Sequence, residues 1–202
     1  LLGHLKPAML DWVGTSMGGL IGLGVCVHAA AAGTQVRRLV LNDVGPAIQW
    51  EAIVRIGTYL GKSMQFASLQ QAADAMWAIS TSFGPHTPAQ WLELCSHLVK
   101  PMADGQPGVT LHYDPAIAAP VRAMTQEMAA QGEAAVWQLY DSITAQTLLL
   151  RGAVSDLLSP QTAAEMTQRG PKARVVEFAG VGHAPTLIAD DQVQTVTSFL
   201  LE

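Results

Sequence analysis

The chain has 202 residues, half of them apolar, with only 13% charged side chains and a formal net charge of −5. That composition excludes a disordered or fibrous chain and suits an α/β enzyme of one domain, large enough to carry an insertion. The balance is mildly acidic and Arg37-Arg38 is the only basic pair of note, which argues against a nucleic-acid surface.

The chain opens Leu1-Leu2-Gly3-His4-Leu5-Lys6 without an initiator methionine, in the manner of the last turns of a helix. It therefore reads as the carboxyl-terminal part of something longer. Met9 to Val13 (MLDWV) reads as a short buried strand, and Gly19 to Ala32 as a helix packed on both faces. Between them lies Gly14-Thr15-Ser16-Met17-Gly18, a G-x-S-x-G pattern. Such a turn needs glycines where strand and helix approach too closely for a Cβ, and it lifts the serine hydroxyl clear of the backbone. Ser16 is thus a candidate nucleophile. Gly18-Gly19, with Gly22 and Gly24, are assigned to close helix packing, not to a phosphate loop.

Val36 to Asn42 (VRRLVLN) is a second strand, apolar almost throughout, as a parallel strand covered on both faces would be. Asp43-Val44-Gly45-Pro46 ends it in a loop. Residues 47–142 differ in character. Helical patterns run over Trp50 to Lys62, Leu69 to Phe83, Pro88 to Lys100 and Gln131 to Tyr140, with no convincing strand. Strand sequence returns at Thr147 to Arg151 (TLLLR), followed by a helix from about Pro160 to Gln168. Ala173 to Phe178 (ARVVEF) is the last strand, and Asp191 to Leu201 closes the chain as a helix. Strands alternating with helices at both ends specify a mostly parallel α/β sheet, residues 1–46 and 143–202, with residues 47–142 inserted into it.

In an open parallel sheet, the loops after the strand carboxyl ends share one edge, where ligands bind. Ser16, Asp156 and His183 each follow a predicted strand, so the three can converge there. A serine hydroxyl is a poor nucleophile until a histidine takes its proton, and a carboxylate must hold that imidazole in the right tautomer. Asp156 is the expected acid. Asp43, which also follows a strand on the same edge, is its rival, and Asp156 has an alternative use as a loop or N-cap residue.

The motifs GTSMGG, LLLRGAVSDLLSP and FAGVGHAP, in this order around a helical insertion, resemble the α/β-hydrolase superfamily with a lid domain. The resemblance spans essentially the whole chain. It implies that Ser16 is the nucleophile, Asp156 the acid, His183 the base, and the Met17 backbone N–H one half of the oxyanion hole. It also implies further strands before the elbow strand and a second oxyanion donor from one of their loops, which this sequence does not contain. The implied activity is a serine hydrolase acting on a small, largely apolar carbonyl substrate, most simply a carboxylic ester. Hydrolysis of a carbon–carbon bond in an aromatic-degradation diketone acid is an alternative, with Arg122 or Arg55 of the lid meeting the substrate carboxylate. A truncated, non-catalytic binding or assembly module is the competing class.

Trp77, Trp91, Trp137 and Met124 fall at helical spacings in the insertion; most read as lid core, with Trp77 and Trp137 the candidates for a face bordering the substrate. His112, beside Tyr113, reads as a surface residue, and His4, His28, His86 and His97 as structural. Neither a metal-ligand cluster nor a phosphate loop is visible, so no cofactor and no metal are expected. No nucleic-acid or membrane partner is expected either: the apolar stretch from Gly18 to Ala32 is too short to span a bilayer, and no signal peptide is recognisable. Cys26 and Cys95 read as buried thiols, which suits a reducing, cytoplasmic setting. The strand Met9 to Val13, apolar and carrying only Asp11 as a charge, is expected to be an open edge through which the chain self-associates.

Overall fold

A computed structural model describes residues 2–31 and 33–202. Leu1 and Ala32, at the ends of two expected helical stretches, lie outside the described residues. The elements in order are α1 (Leu2–Leu5), β1 (Met9–Thr15), α2 (Met17–Ala31), β2 (Gln35–Asn42), α3 (Trp50–Tyr59), β3 (Gln65–Phe66), α4 (Leu69–Ser80) and α5 (Pro88–Ser96). Then follow β4 (Val99–Pro101), β5 (Val109–Leu111), α6 (Ala118–Ala123), α7 (Gln126–Asp141), β6 (Gln146–Gly152), α8 (Pro160–Met166), β7 (Arg174–Phe178) and α9 (Asp190–Leu201).

Four strands make a parallel sheet in the order β1-β2-β6-β7. The two central strands are apolar because both of their faces are covered. Leu39, Leu41 and Leu149 pack with Leu23 of α2, Trp137 and Tyr140 of α7 and Met166 of α8. On the opposite face Val40, Leu148, Leu150 and Phe178 meet Phe199 of α9. Helices on both faces of a parallel sheet are what the sequence pattern required.

The segment between β2 and β6 is helical as expected, but it also holds a small antiparallel sheet, β3-β5-β4. Its strands are two or three residues long, too short for a period-2 pattern to register. They cover a separate core in which Phe66, Val99, Val109 and Leu111 surround Ala72, Ala73, Met76, Trp91 and Cys95. Helix α7 starts five residues before the sequence pattern suggested, where the Thr125 hydroxyl accepts the Met128 N–H as an N-cap. Its last turns belong to the main core, since Trp137 and Tyr140 are both buried there.

Helix α2 departs from expectation on one side. Leu23 and Ala29 are buried, yet Met17 and Ile21 are half exposed, so the helix is packed on one face and open on the other. Cys95 is fully buried and burial pushes the thiol of the half-buried Cys26 up to about 11; among the described residues both are free thiols. No described helix is long and apolar enough to cross a membrane.

Strand β1 has β2 as its only described neighbour, and Met9 and Val13 on it are exposed. An unpaired apolar edge is a template for another strand. Static light scattering over a range of concentrations should therefore show mass rising above that of one chain, and Met9→Lys should reduce the rise. A mass independent of concentration in the parent chain would count against association through this edge.

Candidate active site

The site is assembled from four loops at the carboxyl ends of β1, β2, β6 and β7. At the first, the β1–α2 turn, a Cβ on Gly14 would collide with the backbone of Gly18 and Gly19, so strand and helix meet without room for a side chain. Gly19 is equally confined, by Val44, whereas Gly18 has open space. Ser16 between them adopts φ +51°, a left-handed conformation that costs a non-glycine residue about 1–3 kcal/mol. The turn is fixed by the Ser16 N–H donating to the Asn42 carbonyl (3.0 Å) and by the Gly19 N–H donating back to the Ser16 carbonyl (2.8 Å). Met17 begins α2, so its N–H has no acceptor within the helix.

His183 lies in the loop after β7 with only 10% of its side chain exposed. Its Nε2 is 3.0 Å from Ser16 Oγ and its Nδ1 is 2.7 Å from Asp43 Oδ2. Ser16, His183 and Asp43 thus form one continuous chain of hydrogen bonds. Asp43 is fully buried, and Gly152 N–H donates to its Oδ1 (2.8 Å) while the Ser155 hydroxyl donates to Oδ2 (2.6 Å). With the oxygen facing His183 accepting from the imidazole, the carboxylate stabilises the Nδ1–H tautomer and leaves Nε2 as acceptor for the serine proton.

The expected acid, Asp156, is not in this chain. Its side chain is half exposed and forms a two-pronged ion pair with Arg55 of α3, at 2.7 and 2.9 Å. The reason is local: in the turn after β6, Ser155 faces inward to Asp43, and the next residue faces outward to the insertion. The rival, Asp43, occupies the place beside His183. Gly152 and Ser155 lie within the LLLRGAVSDLLSP motif, but nothing in the sequence marked them, or Asn42, as site residues.

The expected substrate-binding residues lie in other surroundings. Trp137 is buried in the main core, edge-on to Tyr140 and beneath the Arg169 guanidinium, 4.1 Å above its ring. Trp77 packs edge-on against Trp91 within the insertion, at 5.0 Å between ring centroids. Arg122 donates to the Leu60 carbonyl (2.8 Å), so it and Arg55 both already have partners. An apolar cleft of about 340 Å³ opens instead between Leu20, Pro46, Trp50 and Ile53 on one side and Met124, Met128 and Val136 on the other. Among the described residues no three His, Cys, Asp or Glu side chains are grouped to hold a metal.

Residues 1–196 match a family model described as the alpha/beta hydrolase family. A 3-hydroxybutyrate-oligomer hydrolase of Cupriavidus necator is 44% identical over 201 residues, which is 98% of this chain and 67% of that protein. The structure superposes on an alpha/beta hydrolase of Novosphingobium aromaticivorans with a TM-score of 0.81 and 32% identity, covering 99% of this chain and 68% of that one. E-2-(acetamidomethylene)succinate hydrolase, 19% identical, shares the fold with a TM-score of 0.75 over all of this chain and 70% of its own.

The close approach at the elbow sets a stability test. Gly14→Ala should destabilise the chain by at least the roughly 1–3 kcal/mol typical of overpacking, because the obstruction is backbone and cannot rotate away. Gly18→Ala, with open space around it, should be tolerated. Urea midpoints of the two variants make the comparison, and equal midpoints would contradict the packing described here.

Proposed function

Because this chain belongs to the alpha/beta hydrolase family and is a hydrolase on that ground, we propose that it cleaves small carboxylic esters with Ser16, His183 and Asp43 as its triad. The hydrogen-bonded chain from Ser16 Oγ through both ring nitrogens of His183 to a fully buried Asp43 is the observation that carries this reading. In it, Ser16 Oγ attacks the ester carbonyl carbon while His183 Nε2 takes the hydroxyl proton. The oxyanion receives the Met17 N–H as one donor. Collapse of the tetrahedral intermediate breaks the carbon–oxygen bond, the alcohol leaves with the proton from His183, and an acyl-Ser16 ester remains. Water, deprotonated by the same nitrogen, then releases the acid and restores the serine.

The 44% identical relative is named for hydrolysis of 3-hydroxybutyrate oligomers, which are linear esters of a short hydroxy acid. We extend that chemistry to this chain and expect short aliphatic hydroxy-acid esters among its substrates. With Arg55 and Arg122 both engaged, no free lid guanidinium favours the diketone-acid alternative.

On a short-chain nitrophenyl ester, Ser16→Ala and Asp43→Asn should each lower kcat by on the order of 10⁴-fold, and pairs of triad substitutions should cost little more than one. Asp156→Asn removes a half-exposed ion pair and should cost no more than about 1 kcal/mol of stability. Its kcat should stay within a few-fold of the parent. An inactive Asp156→Asn beside an active Asp43→Asn would overturn the choice of acid. Covalent addition of a fluorophosphonate at Ser16, read by intact mass, should disappear in Ser16→Ala.

A further inference from the structure

Ser155 stands outside the triad but touches its acid. Its backbone N–H donates to the Gly152 carbonyl (2.9 Å), closing a tight turn at the end of β6. That one turn delivers both of the protein donors to Asp43 other than the histidine: the Gly152 N–H to Oδ1 and the Ser155 hydroxyl to Oδ2. The Ser155 oxygen also accepts the N–H groups of Leu157 and Leu158, each at 3.2 Å. With its lone pairs occupied by those two donors, its single proton is committed to the carboxylate.

We propose that Ser155 is a positioning residue, whose hydroxyl holds Asp43 Oδ2 in the place where it receives the His183 Nδ1–H. Rotation about the Cβ–Cγ bond is the freedom at issue. Gly152 pins one oxygen, Ser155 the other, and the fully buried carboxylate has no bulk water to replace either donor. Without the hydroxyl, Oδ2 keeps only His183 as a partner, and the imidazole loses its fixed aim at Ser16 Oγ. The proposal rests on Asp43 being the acid of the triad.

The test is steady-state hydrolysis of a short-chain nitrophenyl ester by the full chain carrying Ser155→Ala, Ser155→Thr, Asp43→Asn, Asp43→Ala, or Ser155→Ala with Asp43→Ala. Ser155→Ala should lower kcat by about tenfold or more while KM stays within about twofold, because the hydroxyl does not touch substrate. Ser155→Thr, which keeps the hydroxyl, should recover most of the loss. In the Asp43→Ala background the same serine change should have almost no further effect, since the group it positions is gone. Thermal melts show which variants fold, and Ser155→Cys, a weaker donor of similar size, serves for the comparison if the alanine variant does not.

Full kcat in Ser155→Ala beside an inactive Asp43→Asn overturns the positioning role and leaves the triad standing. An equal fold-loss in both backgrounds also overturns it, assigning Ser155 to the turn alone. An active Asp43→Asn removes the acid itself, a failure of the triad reading that the other outcomes cannot imitate.

Discussion

A buried carboxylate governs the arrangement of this site. Removing an ion such as Asp43 from water costs several kcal/mol unless hydrogen bonds replace the lost hydration. Three donors do so here, from Gly152, Ser155 and His183. They come from the loops after β6 and β7, while Asp43 follows β2, so satisfying one charge draws three strand ends together. Asn42, also fully buried, extends the connection. Its side-chain amide donates to Thr15 Oγ1 (2.9 Å) and to the Pro185 carbonyl (2.8 Å), and its own carbonyl accepts the Ser16 N–H. Two consecutive residues at the end of one central strand therefore touch the nucleophile turn and the histidine loop, as well as the turn that seats the carboxylate.

The insertion is fastened to these loops at two places of different character. Near the histidine, the Ser82 carbonyl accepts the Gly182 N–H, and Gly182 has no room for a Cβ because Ser82 lies against it. The His86 ring, set edge-on to Trp77 and Trp91, bridges the Gly84 carbonyl and Thr186 Oγ1 (2.9 and 2.8 Å). At the other place Arg55 grips Asp156, with Tyr59 as a further partner. That ion pair is open to solvent and worth little on its own, but its neighbours Val44, Ala52 and Leu157 are buried beside Ile48 and Ile56. Apolar packing holds α3 in place, and the ion pair sets its orientation. Since Asp156 directly follows Ser155, the turn that seats Asp43 is also the turn that receives the insertion.

The fold was legible because its signals are long-range in composition and regular in period. Four strands and the helices between them follow from apolar runs and glycine breaks, and the boundaries shift by only a few residues. The two- and three-residue strands of the insertion and the early start of α7 were not, because the former are too short for a period and the latter rests on one hydroxyl, Thr125. In the site, Ser16 and His183 are marked by the glycines that their turns need, whereas nothing marks which aspartate faces inward. Both Asp43 and Asp156 follow a strand on the same edge, and the choice depends on the side to which one tight turn points. That choice shows only in the hydrogen bonds, where Ser155 takes the inward place. The glycine reading was correct at Gly14, Gly19 and Gly22 and unsupported at Gly18 and Gly24, around which nothing approaches.

The nucleophile turn is the strained member of this assembly, and its support is lopsided. Ser16 holds an unfavourable φ, while Met9, Val13, Met17 and Ile21 of the same strand–turn–helix unit remain exposed. What keeps the turn in shape is on the other side: the pairing of β1 with β2 through Thr15 and Asn42, and the bond from Ser16 N–H to the Asn42 carbonyl. Trp12 adds a brace across the turn, its indole N–H donating to the Gly18 carbonyl (3.0 Å) and its ring lying where a Cβ on Gly22 would be. Strain in a backbone persists only where its surroundings over-determine it. Here one of those surroundings, Asn42, directly precedes Asp43, which holds the His183 ring, so the conformation of Ser16 and the aim of His183 both depend on the end of β2.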